Sequence, residues 1–387
     1  MKFWIAMDEC TGCSACESVC LRNAIKMKEN EYGFKVPDVD ETLCINCGKC
    51  VSSCPIKVQL DNKEKAVGVR STEPIVYSAY SLREDIRFES TSGGVFTEIA
   101  KYVLEKGGYV CGAAYDNDCT VKHSFIENPN QIGELRQSKY VQSDIGSSFI
   151  ETKKRLCTGK MIVFVGTPCQ IAGLYSFLGK HYDNLITIEF ICLGVNSPKA
   201  YGSWIRGIEN RKGSKVCRVW FKYKSEGWRK SPFITRIDFV NGTNIVLNQR
   251  NNYYMRGYLE KNLFLRPSCS SCKFMGLPRT GDITLGDFWG LNPEDEDDKG
   301  TSLVMINSEL GEEMFNSIKD TVKSERQSLA IVRKGNVHFD TPAEYNPRSK
   351  EFLKRIEYEE FDRCVQQYLP SKSIVVKAIN KIKKIIH

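Results

Sequence analysis

The spacing of apolar and polar positions divides the chain into a short cysteine-rich start and a longer segment of alternating strands and helices. Near the start, Tyr32-Gly33-Phe34-Lys35-Val36-Pro37-Asp38 reads as a strand leaving a turn. Residues 61–75 are polar and charged and read as a linker. From Val76 the pattern changes. Apolar residues at 95, 96, 99, 100, 103 and 104 have helical spacing, and Gly107-Gly108 stops that helix. Residues 109–115 read as a buried strand, as does the β-branched run 160–165. The latter ends in Gly166-Thr167-Pro168-Cys169-Gln170 and is followed by a helical pattern over 171–178. Strand, glycine turn and helix make an α/β crossover whose turn lies at the carboxyl edge of a sheet, where ligands bind. Residues 185–191 form a further strand, ending in Cys192-Leu193-Gly194. Residues 281–290 read as a strand running into the glycine-flanked Asp287, 302–307 as a strand and 309–319 as a helix, while the acidic stretch 294–298 reads as a solvated loop.

The end of the chain has a separate pattern. Val375, Ile379, Ile382 and Ile386 form one helical stripe, and Lys377, Lys381 and Lys384 lie on another face. Such a basic amphipathic helix suits an anionic membrane surface or a partner. A terminal helix packed on its own domain, with its lysines in water, fits the same pattern.

Composition narrows the class. A length of 387 residues corresponds to roughly two to three domains. No apolar run reaches transmembrane length, and the first residues do not read as a secretory signal. Seventeen cysteines without an export signal point to a reducing cytoplasm and metal chemistry. The net charge of +8 includes the five tail lysines Lys372, Lys377, Lys381, Lys383 and Lys384, which leaves +3 for the rest. That excludes a nucleic-acid signature.

The strongest chemical pattern is a repeat. Cys10, Cys13, Cys16 and Cys20 recur 34 residues later as Cys44, Cys47, Cys50 and Cys54, each run C-x2-C-x2-C-x3-C. Three thiolates at this spacing wrap one corner of a cubane, and in two-cluster ferredoxins the fourth cysteine ligates the other cluster. One [4Fe–4S] cluster is therefore assigned to Cys10, Cys13, Cys16 and Cys54, and a second to Cys44, Cys47, Cys50 and Cys20. Structural zinc takes two pairs with a longer gap, which fits less well. Pro55 follows the second run, but Leu21 stands where the first run would carry its proline.

Other motifs are individually ambiguous. Ser92-Gly93-Gly94 before a helix is either an anion site at exposed backbone N–H groups or an ordinary capped glycine turn. Lys139-Tyr140 sits in a polar loop suited to a phosphate and a flat ring, or simply to water. Cys169, Cys192 and the pair Cys269-x-x-Cys272 supply four more thiolates. Spacing alone leaves open a third cluster, a nucleophilic Cys169 with no histidine nearby in sequence, a redox dithiol and half a zinc site. Cys111, Cys119, Cys157, Cys217 and Cys364 lack ligand spacing and read as packing residues.

Together these segments resemble the coenzyme F420 hydrogenase/dehydrogenase beta-subunit family. The matching residues are Ser92-Gly93-Gly94, Ser138-Lys139-Tyr140, Gly166-Thr167-Pro168-Cys169-Gln170, Phe190-x-Cys192-x-Gly194, Cys269-x-x-Cys272 and Asp282-Ile283-x-x-Gly286-Asp287, over residues 76–320. With the ferredoxin-like module in front, the layout resembles the iron–sulfur flavoprotein branch. The resemblance implies a bacterial-ferredoxin-like domain at 1–60 followed by an α/β flavin-binding domain. The latter would have an N-terminal part at 76–155 and a C-terminal part at 156–345, with C-terminal helices and the basic tail at 346–387. It implies FAD beside a third [4Fe–4S] cluster on Cys169, Cys192, Cys269 and Cys272. Ser92, Gly93, Gly94, Ser138, Lys139 and Tyr140 would fall in the flavin region, with Gly166, Thr167, Pro168, Gln170, Gly286 and Asp287 at the same sheet edge. The implied activity is an oxidoreductase passing electrons between a hydride carrier at FAD and a one-electron redox partner protein. The family includes enzymes that oxidise the deazaflavin F420 and relatives that reduce other substrates, among them a chlorophyll-modifying reductase. Bacterial members occur in surface-polysaccharide gene sets. Cofactors are thus implied far better than substrate, and no catalytic residue is assigned. An electron-relay subunit without its own substrate and a non-catalytic scaffold in polysaccharide assembly stay open. The expected location is the cytoplasm, with peripheral membrane attachment if the tail binds lipid.

Overall fold

The computed structural model describes residues 5–57, 70–292, 294 and 296–370. The basic tail therefore lies outside the described residues, as does most of the expected linker. The chain is mixed α/β, with an N-terminal ferredoxin-like module. In that module β1 (Ile25–Glu29) and β2 (Lys35–Val39) form an antiparallel hairpin with Ile25 opposite Val39. The short helices Ala15–Val19 and Lys49–Ser52 carry Cys16 and Cys50 and pack on each other. Each starts from a left-handed residue, Ser14 at φ 63° and Gly48 at φ 73°, which lets a cysteine loop turn sharply into the helix.

The remaining strands are β3 (Ile75–Ser81), β4 (Tyr109–Tyr115), β5 (Val121–Ile126), β6 (Ile162–Val165), β7 (Leu185–Phe190), β8 (Val216–Trp220), β9 (Thr235–Phe239), β10 (Asn244–Leu247), β11 (Ile283–Asp287), β12 (Ser302–Ile306) and β13 (Val322–Gln327). Eight of them form one sheet in the order β13-β3-β12-β11-β7-β6-β4-β5. Its centre, β11-β7-β6-β4, is parallel, and the outer pairs are antiparallel. The central strands are apolar almost throughout because both faces are covered. On one face the helices Val95–Glu105 and Glu309–Asn316 bury Ile99, Val103, Met314 and Phe315 against Val163 and Ile186. On the other, the helices Ser148–Leu156 and Pro168–Leu178 bury Phe149, Ile171 and Leu174 against Ile162 and Phe164. Cys13 and Ala15 of the ferredoxin-like module join this second cluster, so the module shares the core of the large sheet.

A second sheet, β10-β9-β8, packs with the helices Pro198–Lys212, Tyr253–Leu259, Ser349–Arg355 and Phe361–Gln366 around Trp204, Phe221, Tyr254, Phe264 and Phe352. Trp204 and Tyr254 stack at 4.7 Å.

Several expectations change. Cys169 is not at a strand end but in the first turn of the helix Pro168–Leu178, which Thr167 caps from its side chain. Cys111, Cys119 and Cys364 are buried, but Cys157 and Cys217 are exposed and do not act as packing residues. Cys157 caps the end of a surface helix, and Cys217 occupies an outward position of β8. The acidic stretch is not simply solvated. Asp297 accepts both arms of the buried Arg87, at 2.7 and 2.6 Å, and Glu296 pairs with Arg229. Among the described residues no helix is long and apolar enough to cross a membrane.

Candidate electron-transfer site

The ferredoxin-like module brings Cys54 to the first cysteine run. Burial, and after it the charges of Cys10 and Cys54, push the Cys13 thiol up to about 12. Cys16 is raised by burial and then by Cys13, Cys10 and Cys54. Cys50 is raised by burial and by Cys44 and Cys47 of its own run. Cys20 ends the helix Ala15–Val19, which packs on the helix carrying Cys50.

A cavity of about 160 Å³ opens between this module and the carboxyl edge of the large sheet. Cys169, Cys192, Cys269 and Cys272 all line it, so residues separated by a hundred positions in sequence converge. Burial raises each thiol, Cys269 to about 11, and the other cysteines of the set add to the rise in Cys169 and Cys192. Crowded, desolvated thiols are relieved when metal binding displaces their protons. Among the described residues no three His, Cys, Asp or Glu side chains are placed to hold one metal ion. A cubane differs from a bare ion in giving each thiolate its own iron. Arg279, 2% exposed, also lines the cavity. Its Nε donates to Glu189 Oε1 at 2.5 Å, and its Nη2 has no hydrogen-bond partner among the described residues. An orphaned buried donor beside four thiols fits a group rich in sulfur acceptors. His338 also lines this cavity, although no histidine is near Cys169 in sequence.

A second cavity, about 270 Å³, lies at the carboxyl ends of β6, β7 and β11 and at the start of the helix Val95–Glu105. Of the expected flavin-region residues it is lined by Ser92, Gly94, Ser138, Lys139, Tyr140, Gly166, Thr167, Gln170, Gly286 and Asp287. Gly93 and Pro168 are not among them. A Cβ on Gly93 would overlap the Ala79 carbonyl oxygen, so close packing against β3 requires this glycine, and Pro168 faces the cysteine cavity. Gly94 caps the helix at φ 93°, a conformation that favours glycine. Lys139 Nζ donates to the Glu134 and Arg136 carbonyls at 3.0 and 2.9 Å. Burial, aided by the Arg218 charge, lowers its ammonium to about 7. Asp287 is bound by the buried Lys222. Gln170 accepts from Thr167 N at 3.0 Å and donates to Ser143 Oγ at 3.0 Å, so the cap also shapes the cavity wall.

His123 lines this cavity and has no motif around it. Its Nε2 lies 3.0 Å from the Val165 carbonyl, its Nδ1 has no partner among the described residues, and its ring stacks on Phe164. Burial lowers it to about 4, so it is neutral at physiological pH and the carbonyl places its proton on Nε2. The one sequence signal is the alternation Val121-Lys122-His123 on β5, which turns residues 121 and 123 inward. The two cavities share Thr167, Cys192, Leu193, Gly194 and Val195, so one stretch of chain forms the wall between them.

Residues 76–149 match the description "Coenzyme F420 hydrogenase/dehydrogenase, beta subunit N-term", and residues 159–330 match its C-terminal counterpart. The chain belongs to the coenzyme F420 hydrogenase/dehydrogenase beta-subunit family. Residues 9–58 match a 4Fe-4S dicluster domain, which covers both cysteine runs. Among similar proteins, the coenzyme F420-dependent sulfite reductase of Methanocaldococcus jannaschii is 26% identical over 80% of this chain and 46% of its own length. A component of the F(420)H(2) dehydrogenase of Methanosarcina mazei is 24% identical over 43% of this chain and 47% of its own. The chain thus spans about half the length of these two relatives. A chain of the F420-reducing [NiFe] hydrogenase complex of Methanosarcina barkeri shares 18% identity at a TM-score of 0.47, over 74% of this chain and 94% of that one.

Proposed function

We propose that this family member is a flavin- and iron–sulfur-dependent oxidoreductase. FAD occupies the larger cavity, a third [4Fe–4S] cluster the cysteine cavity, and two clusters the ferredoxin-like module. The observation that supports this reading best is the shared wall from Cys192 to Val195, which sets a four-thiol cavity against the larger one. When bound, flavin exchanges hydride pairs and clusters exchange single electrons, so the combination converts two-electron into one-electron flow.

The residues of the chain hold and shield these groups. Lys139 offers a cation and the amides after Gly94 a helix start, both suited to an anionic cofactor group. Lys222 pairs with Asp287 and holds its side chain in place in the cavity lining. Neutral His123 lines the wall and keeps an acceptor nitrogen, Nδ1, without a hydrogen-bond partner among the described residues. The ferredoxin-like module closes the cysteine cavity through Glu9, Thr11 and Ile56. The partner on the one-electron side would be a redox protein or subunit. The relatives' names make reduced F420 the first hydride donor to try, with nicotinamides beside it.

The test is purification without oxygen, followed by flavin, iron and sulfide analysis and a donor screen with a one-electron dye. One FAD and about twelve irons per chain, the content of three cubanes, are expected. Cys169→Ala should lose about four irons, one cubane, and keep its flavin. Full iron in that variant would remove the third cluster. A colourless, iron-free protein would favour a scaffold.

A further inference from the structure

We infer that Arg266 is a counter-charge shared by two of the three clusters, the one held by Cys10, Cys13, Cys16 and Cys54 and the one held by Cys169, Cys192, Cys269 and Cys272. The inference rests on the cluster assignment proposed above. Arg266 is 2% exposed and spends its donors on neutral acceptors. Nε donates to the Cys10 carbonyl at 2.7 Å, Nη1 to Gln142 Oε1 at 2.8 Å and Nη2 to the Lys35 carbonyl at 2.9 Å. Among the described residues it forms no ion pair. The other deeply buried arginines do: Arg70 with Asp282, Arg87 with Asp297 and Arg279 with Glu189. Burying a charge is costly unless an opposite charge accompanies it.

Position supplies the missing anions. The Cys10–Cys13 loop wraps the guanidinium so closely that a Cβ on Gly12 would lie 2.8 Å from Nη1. Arg266 also lines the cysteine cavity, and its carbonyl accepts from the backbone N–H of Cys269, three residues on, at 3.0 Å. A cluster with four thiolates is anionic and gains another negative charge on reduction. A fixed cation stabilises the reduced form more than the oxidised one and so raises the potential. One guanidinium between two clusters therefore raises both potentials together and leaves the step between them largely unchanged. Among the described residues Arg266 makes no hydrogen bond to Cys20, Cys44, Cys47 or Cys50, so the cluster assigned to those four serves as an internal reference.

The experiment is a redox titration of the whole, anaerobically purified protein, each cluster followed by its paramagnetic signal. Arg266→Gln should make reduction of both flanking clusters at least tenfold less favourable at a fixed potential, a fall of about 59 mV for a one-electron couple. The remaining cluster should not move. Gln142→Glu keeps the arginine but places a carboxylate on its Nη1, and should shift the same two potentials downward. Arg266→Lys should stay near the parent values. Unmoved potentials in iron-replete Arg266→Gln or Gln142→Glu protein, or equal shifts of all three clusters, would overturn the inference. So would iron loss in Arg266→Gln combined with an unshifted Gln142→Glu. A parent protein lacking about twelve irons would instead defeat the cluster assignment itself.

Discussion

Gly173 lies directly under Cys13: a Cβ on this helical glycine would sit 2.8 Å from the Cys13 Cβ and 2.9 Å from its Sγ. The helix that carries Gly173 begins at Pro168 and bears Cys169 in its first turn. Charge on Cys13 also reaches Cys169. One turn of helix therefore joins the first cysteine run to the cysteine cavity, and its closeness depends on the missing side chain.

Gly173→Ala should consequently be destabilising although alanine is the better helix former. Overpacking of this kind costs about 1–3 kcal/mol, against roughly 0.5–1 kcal/mol gained from helix propensity. The control is Gly133→Ala, in a helix with open space around the added methyl. Thermal unfolding of the anaerobic protein should show Gly173→Ala melting below the parent and Gly133→Ala at or above it. Equal melting of Gly173→Ala and parent would mean that the module rides loosely on the helix.

Cys54→Ser should resemble a mutation in the other cysteine run. Cys54 is buried with Ile5, Cys10 and Ile56, and it is the Cys13 and Cys16 thiols that feel its charge. The paramagnetic spectrum of Cys54→Ser should therefore match that of Cys13→Ser and differ from that of Cys47→Ser. A match to Cys47→Ser would show that each run keeps its own four ligands.

The sequence made the cysteine chemistry legible because cluster ligation demands one residue type at fixed local spacing. The 34-residue repeat is of that kind, and it falls within the residues that match a 4Fe-4S dicluster domain. The strand–turn–helix segment around Gly166 was legible because both faces of a parallel sheet must be apolar, and the helix after Gly94 because its apolar residues recur at helical spacing. Arg266 and His123 were not, since a lone arginine or histidine acquires its role only from elements packed around it in space. Gly93 and Gly94 show the same limit at closer range. Both read as one glycine turn, but one serves backbone packing against β3 and the other the helix cap beside the cavity. No element was expected over residues 195–265, where β8, β9 and β10 are held by an aromatic core whose members come from helices far along the chain. Cys157 and Cys217 were misjudged because a cysteine without ligand spacing is usually buried, and nothing local marks a surface position.

Lys139 should make flavin binding depend on pH near neutrality. Its ammonium is lowered from the ordinary lysine value to about 7, first by burial and then by Arg218. An anion bound beside it favours the charged form, so binding takes up a proton wherever the free protein has lost one. Below about pH 7 the lysine of the free protein already carries its charge, and affinity for FAD should be flat. Above that value each unit of pH should weaken binding by up to about tenfold, until the raised value in the complex is passed. Lys139→Met should bind FAD more weakly at pH 6 and lose the pH dependence. The measurement is a fluorescence titration of flavin-depleted protein with FAD from pH 6 to pH 9. An affinity that stays constant over that range in the parent protein would remove Lys139 from contact with the cofactor's anionic part, leaving its hydrogen bonds to Glu134 and Arg136 as its whole role.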